Sequence, residues 1–332
     1  MAETILNIEG LKTYFFTEAG TVTAVDGVSF NLIKGESLGL VGESGSGKTV
    51  TALSVLRIVP KPGRIVDGKV EFNGEDLLEK SEKEMQRIRG SEISIIFQDP
   101  SSSLNPVYNV ETQLRDAIIA HQNVSKTEAK GKAIELLEVV GIPEAETRMR
   151  EYPHQFSGGM KQRVAVARAL ACQPTLLFAD EPTTNLDVTI QAQVLNLLND
   201  LKKKFGMSLV MITHDMGIIA EMTTRIVVLY AGHVFEIAKT HDLFDRPRHP
   251  YTEALLAAVP RLDMRKTLRV IPGNIPNLIE PPSGCRFHPR CNYAKKICGE
   301  VVPVLEETEQ GHFVACHEWR NISLKGEKVN VD

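Results

Sequence analysis

Residues 42–49 read Gly-Glu-Ser-Gly-Ser-Gly-Lys-Thr, a G-x-x-x-x-G-K-[ST] loop. It follows the apolar run Ser37-Leu38-Gly39-Leu40-Val41 and precedes the helix-prone stretch Val50 to Leu56, so strand, loop and helix stand in the order the motif needs. Gly42, Gly45 and Gly47 let the backbone turn tightly enough to aim several N–H groups at phosphate oxygens, while the helix start adds positive dipole and Lys48 a mobile cation. This predicts a nucleotide-phosphate cradle formed by Gly42, Glu43, Ser44, Gly45, Ser46, Gly47, Lys48, Thr49 and Val50. The competing reading, an incidental glycine-rich turn, loses weight as matching motifs accumulate downstream.

The chain has 332 residues, 42% apolar and 24% charged, which suits one large domain or a domain with an appendage. A net charge of −4 gives no basic excess of the kind that displaces counterions from nucleic acid, so nucleic acid is not an expected partner. No run approaches the about 18 apolar residues needed to span a bilayer, and MAETILNIEG lacks a basic region followed by an apolar core. A cytoplasmic protein is expected.

Short β-rich runs at Ile5 to Ile8, Val28 to Ile33 and Val70 to Phe72 surround the phosphate loop, and Ile93 to Phe97 gives another strand ending at Gln98. From about residue 107 to 172 the pattern turns helical, which predicts an inserted helical subdomain; Lys126 to Val140 carries apolar residues at three-to-four spacing. Strand signals return at Thr175 to Ala179 and Leu209 to Ile212, separated by a helix over Val188 to Lys204 with Ile190, Val194, Leu197, Leu198 and Leu201 on one face. This alternation predicts an α/β fold with a mostly parallel core sheet covered by helices. Residues 1–259 form the expected main domain, and 260–332 a small proline- and cysteine-rich extension without a periodic element long enough for its own core.

Two motifs carry the expected chemistry. Thr175 to Glu181 is an apolar strand ending in two carboxylates, where ligands collect at an open parallel sheet. Asp180 is placed to hold a hydrated magnesium ion with the Thr49 hydroxyl, and Glu181 to orient or deprotonate the water that attacks a γ-phosphate. Phe156 to Arg163 reads FSGGMKQR and runs straight into a helix, so Ser157, Gly158 and Gly159 form a second anion site. One nucleotide does not need two such sites on one chain, and the economical explanation is that Ser157 to Gly159 contact the γ-phosphate held by a partner subunit.

These residues resemble the ATP-binding-cassette family over roughly Ile5 to Ala238. The resemblance implies a P-loop cassette ATPase with an N-terminal antiparallel β part, and dimers that sandwich ATP between one subunit's phosphate loop and the other's signature. It also implies that Gln98 senses magnesium and the attacking water and passes their state to a membrane partner, that Asn185-Leu186-Asp187 touches the opposite subunit, and that His214 contacts the γ-phosphate. An aromatic among Tyr14, Phe15 and Phe16 would stack on adenine; alternation favours Phe15, with a core role for these rings as the competing view. Met160 and Phe156 depart from the family's commoner glutamine and leucine, at positions flanking the contact residues.

Four of the five cysteines, Cys285, Cys291, Cys298 and Cys316, stand as C-x5-C-x6-C-x17-C in the extension. A small module of this kind needs a staple, and in a reducing cytosol four thiolates around a metal centre supply one, either tetrahedral zinc or an iron–sulfur cluster. With Arg248-His249-Pro250-Tyr251-Thr252 and Gly284 to Cys291, this part is similar to the C-terminal extension of oligopeptide and dipeptide importer ATPases, which implies a four-iron four-sulfur cluster. His288, His312 and His317 are expected around the ligands or on the surface, and Cys172 as a buried small hydrophobe on an apolar helix.

The implied function is an ATPase subunit of a peptide importer, peripheral on the cytoplasmic side of the membrane. Its implied partners are a second and different cassette subunit, two transmembrane permease subunits and an extracytoplasmic substrate-binding protein. Rival readings are a cassette for another cargo such as nickel, a soluble cassette ATPase acting on DNA or ribosomes, and a metal-cluster sensor with regulatory ATP binding.

Overall fold

The computed structural model describes residues 3–258 and 271–326. They fall into two compact units, one drawn from Met1–Glu79 with Met211–Asp332 and the other from Lys80–Val210.

The first unit holds an antiparallel sheet in the order β2-β1-β4-β5, built from β1 (Thr4–Thr17), β2 (Gly20–Ile33), β4 (Gly63–Phe72) and β5 (Glu75–Asp76). The first two strands are longer than their apolar runs suggest, because the polar residues between them pair across the ladder all the way to a turn at Thr17 and Gly20. Beside this sheet, β3 (Ser37–Val41) pairs in parallel with β9 (Arg225–Tyr230), Leu38 opposite Arg225 and Val41 opposite Val228. Every residue of β3 is buried, as expected for a strand covered on both faces. Beyond β9 the pairing turns antiparallel through β10 (His233–Lys239), β12 (His312–Val314) and β11 (Glu306–Glu309), so the sheet is mixed. The last two of these strands come from the cysteine-rich extension. Instead of forming a separate body, that extension adds its short strands to the sheet edge at β10.

The second unit pairs β6 (Ile93–Ile96) with β7 (Leu176–Asp180) in parallel, Ile93 opposite Leu176. Its helices include Val110–His121, Lys126–Val139, Gly158–Ala169 and Val188–Phe205. Their starts are fixed by Asn109, Ser125, Ser157 and Asp187, whose side chains each accept a backbone N–H of the first turn, a cap worth about 1 kcal/mol. On the last helix the buried residues are Val194, Leu195, Leu198 and Leu201, so Leu195 takes the core place expected for Leu197. The chain passes from this unit to the first within β8 (Ser208–Thr213), all six of whose residues are buried.

Candidate functional site

The phosphate loop connects β3 to the helix Lys48–Val55. Two of its glycines are required by close backbone approaches: a Cβ on Gly42 would stand 2.0 Å from the Leu229 carbonyl oxygen, and one on Gly47, at φ +102°, 2.5 Å from that of Ala24. Lys48 is buried, and its ammonium donates to the carbonyls of Gly42 at 2.7 Å and Glu43 at 3.0 Å, which turns the cation back over the loop. Ser44, Gly45 and Thr49 are exposed. The helix start, the turned-back ammonium and the exposed loop tip together make an anion cradle. The loop is held from outside as well: Gly232 N–H donates to the Ser46 carbonyl at 2.9 Å, and Glu43 N–H to the Tyr251 hydroxyl at 2.8 Å.

Of the three aromatic candidates, Tyr14 donates its hydroxyl to Asp26 at 2.7 Å, while Phe16 is exposed beneath the Arg64 guanidinium, 5.8 Å from the ring centre. Phe15 is half-buried opposite Gly63 and alternates with Thr13, whose hydroxyl meets Ser54 on the phosphate-loop helix at 2.7 Å. His214 directly follows β8 and is exposed, and Asp215 caps the next helix, Met216–Met222.

In the second unit β7 delivers Asp180, buried at 3% exposure, and Glu181. Glu181 Oε2 accepts from Gln98 Nε2 at 2.7 Å and from the Thr184 hydroxyl at 3.0 Å. The backbone of Glu181 is left-handed at φ +44°, a strained conformation for a side chain with a Cβ and one that functional residues often keep. Sequence reasoning brought out Gln98 and Glu181 separately; it missed Thr184, which sits in the run Pro182-Thr183-Thr184 with no pattern to mark it. Ser157 caps its helix by accepting from Met160 N–H at 3.4 Å, leaving Ser157 and Gly158 exposed over the helix start.

Cys285, Cys291, Cys298 and Cys316 line one pocket in the first unit, together with His249, Phe287, His288, Tyr293 and His317. All four are free thiols. Burial, reinforced by neighbouring sulfurs, pushes the Cys285 thiol up to about 11 and that of Cys316 up to about 12. Among the described residues, no group of three or more His, Cys, Asp or Glu side chains is arranged to hold a metal ion. His288 and His317 bond the Cys285 and Val301 carbonyls at 2.9 Å. His312 corrects its expectation: it is buried away from the pocket's lining, with Nε2 2.7 Å from the fully buried Glu236 carboxylate. Cys172 is also corrected. It lies past the end of its helix, half-buried, with Sγ 3.7 Å from the Ala117 carbonyl.

A phosphate loop with its lysine folded inward, a buried strand ending in Asp-Glu with a glutamine on the second carboxylate, and a serine-capped glycine turn define an ATP-hydrolysing cassette. The comparisons agree. The family described as "ABC transporter" matches residues 25–184, and that described as "Oligopeptide/dipeptide transporter, C-terminal region" matches 235–298. A probable peptide ABC transporter ATP-binding protein of Sinorhizobium fredii is 50% identical over 323 residues, 96% of each chain. Escherichia coli OppD, an oligopeptide transport ATP-binding protein, is 48% identical over 95% of this chain and 93% of its own. The same organism's dipeptide transport protein DppD is 47% identical over 94% and 96%. Among solved structures, the dimeric cassette MJ0796 in a post-hydrolysis state with ADP and Pi superposes with a TM-score of 0.64 at 26% identity, covering 71% of this chain and 99% of that one. The chain belongs to the ATP-binding-cassette transporter family, in its oligopeptide/dipeptide branch, and is an ATPase.

Proposed function

We propose that this chain is the ATP-hydrolysing subunit of an importer of dipeptides or oligopeptides, working with permease subunits from the cytoplasmic face of the membrane. Among the described residues no helix is long and apolar enough to cross a membrane, which suits a peripheral subunit. In this reading Gly42 to Val50 hold the triphosphate, with Lys48 on its terminal phosphates and Phe15 on the adenine. Thr49, Asp180 and Gln98 hold magnesium, Glu181 activates water, and His214 meets the γ-phosphate. Ser157, Gly158 and Gly159 serve the ATP of a second, related cassette subunit. The partner set is completed by two permeases and an extracytoplasmic binding protein.

The observation that carries the hydrolytic reading is the Gln98–Glu181 hydrogen bond. It joins a polar side chain at the end of one strand to the carboxylate at the end of another and holds Glu181 Oε2 in one orientation. Glu181→Gln is the test. The amide keeps an oxygen for Gln98 and Thr184, so ATP binding should persist while hydrolysis falls by about 10²- to 10⁴-fold, the usual worth of a general base, and ATP-bound dimers should accumulate on gel filtration. Turnover at the parent rate would remove Glu181 from its role.

The four cysteines are read as ligands of a four-iron four-sulfur cluster. Support comes from the donor set, four thiols lining one pocket beside imidazole, aromatic, proline and glutamate side chains. When bound, such a cluster supplies a rigid cross-link among four points of a segment with little core of its own.

A further inference from the structure

We propose that Arg290, far from the phosphate loop in sequence, is a positioning residue of the ATP site that acts through Glu43. The inference rests on the reading of residues 42–50 as the ATP cradle. Arg290 directly precedes Cys291, and its guanidinium clasps the Glu43 carboxylate by two hydrogen bonds, Nη1 to Oε2 at 2.8 Å and Nη2 to Oε1 at 3.1 Å. This is the fork-on-carboxylate arrangement, which fixes direction as well as charge. The arginine is itself held in place. Nε donates to the Pro272 carbonyl at 2.8 Å, Nη1 to the Tyr230 hydroxyl at 3.1 Å, and the plane lies 5.7 Å and 5.9 Å from the Tyr230 and Phe287 ring centres, with 6% of the side chain exposed.

Glu43 is the second residue of the loop, and each of its polar groups is engaged. Its N–H donates to Tyr251, its carboxylate accepts from Arg290, and its carbonyl accepts from Lys48 Nζ at 3.0 Å and from Ser46 N–H at 3.2 Å. Two consequences follow. The carbonyl that orients the Lys48 ammonium is aimed by a residue whose side chain the arginine holds. In addition, an unpaired Glu43 carboxylate would set a negative charge on the loop that must receive a triphosphate, and Arg290 neutralises that charge at contact distance.

A second arginine of the extension braces the same loop from another side. Arg286, next to Cys285, donates to Asp26 at 2.5 Å and to the Ala231 carbonyl, and the following residue, Gly232, donates its N–H to the loop's Ser46 carbonyl. Both arginines flank cysteines of the pocket, so the extension is built onto the cradle at two points.

The test is a double-mutant cycle on the full chain, read by calorimetric binding of a magnesium-bound, non-hydrolysable ATP analogue. Arg290→Ala is expected to weaken binding about tenfold, the usual scale for one charge-assisted contact. In a Glu43→Gln background, which carries no charge to neutralise, the same substitution should change affinity by less than about twofold. Arg290→Lys keeps the charge but loses the fork, and should recover part of the affinity; it also serves as the reporter if Arg290→Ala does not fold. Arg290 variants that bind like the parent, or lose equally in both backgrounds, overturn the proposal. A parent that fails to bind the analogue while Lys48→Ala behaves identically overturns the ATP cradle itself, and this inference with it.

Discussion

Replacing Glu236 by alanine tests how the extension is fastened to the cassette. Glu236 lies on β10, is fully buried, and is the common acceptor of three donors: Arg248 N–H at 2.7 Å, His249 N–H at 3.0 Å and His312 Nε2 at 2.7 Å. The first two belong to the turn that opens the helix Pro250–Ala257, and the third to β12, which pairs with β10 at Glu236–Val314 and Ile237–Phe313. Truncation leaves three donors without their acceptor in a place water does not reach. Each orphaned group costs about 1–3 kcal/mol. The three effects share one site and do not fully add, so a loss of about 3–5 kcal/mol is expected. The assay is amide hydrogen exchange by mass spectrometry. Protection of Phe313 to Ala315, whose last N–H donates to the Phe235 carbonyl at 2.9 Å, should collapse before that of β3. His312→Ala should cost less, because the carboxylate keeps two backbone donors. Unchanged protection in Glu236→Ala, or a larger loss in His312→Ala, would refute the reasoning.

Three further outcomes are expected. Gly47→Ala should weaken nucleotide binding and lower stability by about 1–3 kcal/mol, because the new methyl meets the Ala24 carbonyl at 2.5 Å in a left-handed backbone; an alanine variant with parental affinity and melting temperature would contradict this. Asp26 is held well below the usual carboxylate range by His233 at 3.5 Å, by the Tyr14 hydroxyl and by Arg286, against partial burial. A lowered carboxyl pKa contributes stability that is present above the unfolded value of about 4 and lost as pH falls below it. Melting temperatures of Asp26→Asn should therefore decline less than the parent's between pH 5 and pH 3, and parallel declines would discount the network. Protein purified without oxygen should carry about four irons per chain and absorb visible light, whereas one zinc and no iron would reassign the cysteine pocket.

The phosphate cradle, the Asp-Glu strand end and the serine-glycine turn were legible because each is contiguous: the chemistry needs neighbouring residues on a strand exit or helix start, and the sequence spells them in order. Gln98 and Glu181 were each legible for the same reason, although their hydrogen bond joins positions 83 residues apart. The helical segment expected over about 107–172 was legible from its apolar spacing, whereas the caps at Asn109 and Ser125 emerged only in the structure. Less was visible in the extension. β11 and β12 have four and three residues, too few to show alternation above the noise of composition. His312 looked like a metal-site neighbour because sequence proximity to cysteines says nothing of a glutamate 76 positions away.

By itself the sequence pointed to a phosphate-binding loop between a buried strand and a helix and to the cassette family, and it showed four cysteines clustered in a segment with no long periodic element. Only the tertiary structure decided where that segment goes: its strands continue the sheet at β10, its sulfurs share one pocket, and Arg290 reaches Glu43 across 247 residues of chain. The physical reason is that a local motif is fixed by backbone geometry over a few residues. A long-range ion pair is fixed only when the intervening chain has folded, because its two halves carry no mark of one another until packing brings them within hydrogen-bond distance.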